Sequence, residues 1–111
     1  MATKRASSGD IVDVRHFGEA IGEAKTRALI KTHEIEVLRL VVPRGRTIDT
    51  HQVPGDLTAH CLEGRAALTL ADREIELKPG ELVYLAGGTP HGVRGIEDTS
   101  LRVTISLHHK A

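Results

Sequence analysis

Three observations in this sequence of 111 residues predict an all-β domain built as an antiparallel sandwich or barrel. Gly, Pro or Asp punctuates the chain about every eight residues after Leu29, the spacing of short strands joined by turns. The segments between these turns alternate apolar and polar residues or run as short aliphatic blocks. No convincing helical periodicity follows Leu29. The length suits one domain. Val, Ile and Leu number 29 of the 111 residues, which excludes disorder for the body of the chain.

The elements follow in order. Residues 1–9 (MATKRASSG) are small and polar and read as a flexible terminus. Residues 10–28 form an N-terminal arm: Ile11, Val12 and Val14 suit an extended stretch, and residues 18–28 are helix formers interrupted by Gly22. The strand-forming body is expected over 29–107. Residues 34–42 (EIEVLRLVV) are nearly continuous in apolar character, as in a strand covered on both faces. Arg39 inside that run either reaches solvent along the sheet or offers a cation to an acidic ligand. Pro43 and Gly45 break the strand, and 47–53 resumes it up to the turn Pro54, Gly55, Asp56. Residues 57–62, 66–70 and 74–77 are further strands, separated by turns at Glu63, Gly64 and at Ala71, Asp72. After Pro79 and Gly80, 82–85 is apolar, 87–90 is a loop, and 101–107 alternates most clearly, with Arg102 among its polar positions. Residues 108–111 form a C-terminal tail.

Composition excludes several functions. Fifteen Lys and Arg balance fifteen Asp and Glu, and one Phe and one Tyr cannot build a base-stacking platform, so nucleic acid is not an expected partner. No apolar stretch approaches the roughly 20 residues that cross a bilayer, and residues 1–10 lack the apolar core of a signal peptide. The single Cys61 fits a reducing compartment, and a cytoplasmic location is expected. P-loop, dinucleotide, nucleophile-elbow and Cys-x-x-Cys signatures are all absent.

The most specific signal is a pair of segments, each reading as a strand that ends in a histidine: residues 45–64 (GRTIDTHQVPGDLTAHCLEG) and 80–95 (GELVYLAGGTPHGVRG). They resemble the two motifs of the cupin family. Gly45, His51 and Gly64 match the first motif and Gly80, Gly88 and His91 the second, with every gap of family length. Ala86 replaces a Pro and Gly95 an Asn. The resemblance covers roughly residues 29–107 and implies a double-stranded β-helix, a jelly-roll barrel.

In metal-binding cupins, three His and one Glu hold a divalent cation, commonly manganese, iron, nickel, copper or zinc. Carried over, His51 and His91 occupy two of these positions, while Val53 stands at the second His and Leu57 at the Glu. Two neutral imidazoles bring no negative charge to offset a dication. Asp49, two residues before His51, is the candidate substitute ligand; Asp56, in the turn beside Leu57, and Cys61, which shares Leu57's parity, could each lend an anionic ligand as well. Val53, Leu57, Cys61, Arg39 and Arg102 are candidates for the ligand pocket, the arginines because a guanidinium can grip a carboxylate bidentately. His60 faces away from Leu57 by strand parity.

Three functions remain open on these residues. The first is small-molecule binding around His51 and His91, with or without a divalent metal. The second is a metal-free, non-catalytic sensor or interaction module. The third is a metal-dependent enzyme of dioxygenase, isomerase or decarboxylase type. The resemblance also implies a homodimer.

Overall fold

The structure is a computed structural model that describes residues 5–107; the expected C-terminal tail and residues 1–4 lie outside the described residues. Nine strands are found among the described residues: β1 (Arg27–Lys31), β2 (Ile35–Val42), β3 (Thr47–His51), β4 (Leu57–Glu63), β5 (Ala66–Thr69), β6 (Glu74–Leu77), β7 (Leu82–Leu85), β8 (His91–Gly95) and β9 (Thr99–Ser106). They form a five-stranded sheet, ordered β1-β2-β9-β4-β7, and a four-stranded sheet, ordered β3-β8-β5-β6. Every pairing is antiparallel. From β2 to β4 and from β6 to β9 the chain changes sheet at each step, which is the jelly-roll connection expected from the sequence.

Strand parity sets what lies between the sheets. In β4, Leu57, Ala59 and Cys61 are buried while Thr58, His60 and Leu62 are half-buried. Leu101 and Val103 of β9 join them from one sheet, and Leu68, Leu77 and Val93 from the other. Leu68 and Leu101 are almost wholly buried, each worth roughly 1.5–3 kcal/mol relative to an exposed side chain. In β2 both faces are covered: Leu38, Leu40 and Val42 face the core, and Val37 and Arg39 are buried on the other side. Gly64, which closes the first motif, adopts φ +82°, and a Cβ there would collide with the Asp98 backbone oxygen. A side chain at 64 would force β4 and the start of β9 apart.

Three details differ from the sequence reading. The first strand begins at Arg27, two residues before the expected barrel boundary. The helical stretch shrinks to one 3-10 segment, Gly18–Glu23. Finally, His91 opens strand β8 instead of ending one. Gly92 and Gly95 hid this strand, because glycine is a poor strand former. Close approach requires glycine at 95, where a Cβ would collide with the Pro43 oxygen, and leaves little room at 92, where a Cβ would lie 3.0 Å from the Ile48 oxygen.

Candidate functional site

The end of β3 and the start of β8 bring the two motif histidines together. His51 and His91 are cross-strand partners, reached through an irregularity in β3 between Ile48 and His51. Their ring centroids lie 4.5 Å apart with the planes tilted by 55°. His51 Nδ1 sits 3.1 Å from the Asp49 carbonyl oxygen, and His91 Nδ1 sits 3.0 Å from the Thr89 carbonyl oxygen. A carbonyl can only accept, so each Nδ1 carries the hydrogen, which leaves Nε2 as the acceptor atom of the neutral tautomer. The same contact, to the carbonyl two residues back, orients both rings. His91 is buried and His51 is exposed, which sets one in the wall and the other at the mouth.

Both rings line a cavity of about 160 Å³ between the sheets. Its remaining wall is aliphatic, with Leu38 and Leu40 from β2, Leu57 and Ala59 from β4, and Val53 from the β3–β4 connection. A dry apolar cavity of ~150 Å³ holds a benzene-sized molecule. The site therefore combines a compact apolar volume with two imidazole acceptors.

The expected pocket residues divide sharply. Val53 and Leu57 line the cavity at the positions where the motif would supply a second His and a Glu. Cys61 faces inward but is packed deeper in the core, its Sγ 3.6 Å from the Glu63 oxygen and 3.7 Å from the Gly64 oxygen. Burial pushes its thiol up to about 11, which removes the thiolate that would react or bind metal. Asp49 is exposed and meets His51 through its backbone oxygen. Among the described residues, no three His, Cys, Asp or Glu side chains group as metal ligands. The donor set does not fit a three-His, one-Glu centre: two imidazoles are present, and aliphatic groups occupy the other two positions.

Arg39 and Arg102 are absent from the cavity wall. They are register partners on β2 and β9, and their neighbours Leu38, Leu40, Leu101 and Val103 take the inward positions. Alternation puts both arginines on the outer face. Arg102 Nη2 donates to His60 Nδ1 at 3.2 Å, so His60 lies on the side its parity predicted. Arg39 is not a cation of the barrel cavity, nor is it a solvated side chain. Its Nη2 lies 2.6 Å from the Arg15 carbonyl oxygen, 3.1 Å from Glu63 Oε2 and 3.4 Å from Ser100 Oγ. Its guanidinium carbon lies 3.8 Å above the centre of the Phe17 ring.

Sequence reasoning missed Glu63. It reads as a turn residue beside Gly64, but a register shift between Cys61 and Glu63 pairs it with Ser100 and turns it to the outer face. There it accepts the backbone N–H groups of Phe17 and Gly18 at 2.9 and 3.2 Å, and the Ser100 hydroxyl at 3.0 Å. Burial alone would push its carboxyl up. The hydrogen bonds from Phe17, Ser100 and Gly18, with the Arg39 charge, outweigh burial and hold it below the ordinary carboxylate value. The signal available in the sequence was a charged pair, Arg39 and Glu63, in two apolar strands.

Comparison with known proteins agrees with this architecture. The Cupin domain family matches residues 38–107. An uncharacterized protein from Methanocaldococcus jannaschii is 26% identical over 87 residues, spanning 78% of this chain and 70% of that protein. Among solved structures, a Streptococcus pyogenes protein of unknown function superposes with a TM-score of 0.75 at 16% identity, covering 96% of this chain and 95% of the other. A cupin superfamily protein from Desulfitobacterium hafniense gives a TM-score of 0.72 at 18% identity, covering 75% of this chain and 76% of the other. No helix among the described residues is long and apolar enough to cross a membrane. With its two sheets in jelly-roll order, its two histidines in motif register and the family match over most of the barrel, this chain belongs to the cupin family.

Proposed function

We propose that the protein binds a compact, mostly aliphatic small molecule inside the barrel, and that His51 and His91 recognise a hydroxyl or N–H on it without a metal. The observation that carries this reading is the wall itself: Val53 and Leu57 present hydrocarbon where a metal centre needs donors. The two Nε2 lone pairs are acceptors, so the complementary ligand group is a donor. A cavity of this size suits roughly six to eight non-hydrogen atoms. Cyclohexanol is a suitable probe, with methylcyclohexane as the donor-free control. Ligand-observed NMR with excess EDTA should show saturable cyclohexanol binding that exceeds methylcyclohexane binding, and His91→Ala should erase the preference. Absence of binding by both compounds would overturn the reading.

One observation favours a second reading, in which the two imidazoles hold a divalent cation with water. An Nδ1 hydrogen donated to a carbonyl is also how metal-ligating histidines are oriented. This version expects stoichiometric zinc, nickel or manganese after dialysis, lost in a His51→Ala, His91→Ala double variant. We further propose that the protein forms a homodimer. Leu82 and Tyr84 on the edge strand β7 are each 61% exposed, and an apolar edge favours pairing. Sedimentation should give a dimer mass, reduced to a monomer by Leu82→Glu with Tyr84→Glu; a monomeric wild type would refute the proposal.

A further inference from the structure

Outside the barrel, between the N-terminal arm and strands β1 and β2, lies a second cleft of about 460 Å³ lined by Asp13, Arg15, His16, Phe17, Arg27 and Arg39. Its charge is unusual for a place where strands pair. Arg27 and Arg39 are direct cross-strand partners in β1 and β2, and like charges at opposed positions repel. Arg15 is neutralised by Asp13 at 2.7 Å and Arg39 by Glu63 at 3.1 Å. Arg27 has no carboxylate within ion-pair distance among the described residues. Three guanidinium groups thus meet two carboxylates, leaving one positive charge on the cleft.

Arg39 adds an independent observation. Only 4% of the residue is exposed, and its Nε is buried without a hydrogen-bond partner among the described residues. All of its hydrogen bonds to the arm, Glu63 and Ser100 use Nη2. The guanidinium is therefore held in place by one nitrogen while other N–H donors are unspent. A buried donor without an acceptor is costly, and a fixed guanidinium with spare donors is suited to bidentate recognition of an oxyanion.

We propose that this cleft is a binding site for a small oxyanion, a carboxylate or phosphate group, gripped by Arg27 together with Arg39, with the Phe17 ring as one wall. It is separate from the barrel pocket: the cleft shares no lining residue with the cavity of His51 and His91. Inorganic phosphate and succinate, each titrated calorimetrically into the full chain at constant ionic strength, distinguish the two sources of the anion. At least one of them should bind saturably. Arg27→Gln should weaken that binding by about tenfold or more, the loss expected for one charged hydrogen-bonding partner. Arg27→Lys, which keeps the charge but not the fork, should fall between the two. Arg27 is exposed on an edge strand, so neither variant should lower the melting temperature measured without ligand, and Arg27→Gln, which relieves the repulsion with Arg39, should if anything raise it. His91→Ala should leave anion binding unchanged. The proposal is overturned if neither anion saturates, if Arg27→Gln binds as well as wild type, or if His91→Ala abolishes the binding.

Discussion

The two faces of the five-stranded sheet treat polar groups in opposite ways. Its inner face turns a wall of Leu, Val and Ala that supplies no charge toward His51 and His91 of the four-stranded sheet. On the outer face, Arg39, Glu63 and Ser100 form a buried, hydrogen-bonded cluster that the N-terminal arm covers through Arg15, Phe17 and Gly18. Neighbouring residues of one strand, such as Leu38 and Arg39, belong to these two environments. The difference teaches that the inner polar groups are free for a ligand, while the outer ones are largely committed to holding the arm.

The largest expected effect breaks the outer cluster. Glu63→Ala leaves the buried Arg39 without its carboxylate, and we predict a loss of about 3–5 kcal/mol in urea unfolding. A Glu63→Leu, Arg39→Met pair should lose much less, because it removes both charges. By contrast, Asp13→Ala removes a surface partner and should change stability by less than about 1 kcal/mol. A small Glu63→Ala effect would show that the arm is not held through this cluster.

Next comes the inner face. Ala59→Leu places new methylenes in the cavity; we predict that it blocks cyclohexanol binding and destabilises the fold by no more than about 1–3 kcal/mol. Restoring the missing donors sharpens the same comparison. Val53→His with Leu57→Glu should raise zinc or nickel affinity by about 100-fold or more over wild type in a competition titration with a chromophoric chelator. Equal affinities would mean that the aliphatic residues at 53 and 57 do not limit metal binding.

The smallest effect concerns pH. The Glu63 carboxyl is held below the ordinary carboxylate value in the folded state, so its stabilising contribution is complete above the unfolded carboxylate pKa. It is lost as pH falls through the lower folded value. Unfolding stability measured from pH 7 downward should therefore decline in acid, and Glu63→Gln should flatten part of that decline. An unchanged acid slope in Glu63→Gln would assign acid sensitivity to other groups.

Much of the fold was legible because strand signals are local. The aliphatic block at 34–42, the alternation at 101–107 and the turn residues between strands each depend on neighbours in sequence. The motif spacing likewise located His51 and His91, which register brings together across β3 and β8. Less was legible where a long-range contact decides. Gly92 and Gly95 look like loop residues until the Ile48 and Pro43 oxygens approach them. Arg39 and Arg102 were drawn into the pocket by residue type, while alternation against Leu38 and Leu101 places them outside. Glu63 could not be placed from sequence, because a one-residue bulge decides its face.

The central claim, that the barrel cavity is an apolar small-molecule site that works without metal, is tested most directly by calorimetric titration of cyclohexanol into EDTA-treated protein. The account predicts one saturable site per chain, unchanged on adding zinc, nickel or manganese in excess of the chelator. Binding that appears only after metal is restored would contradict it.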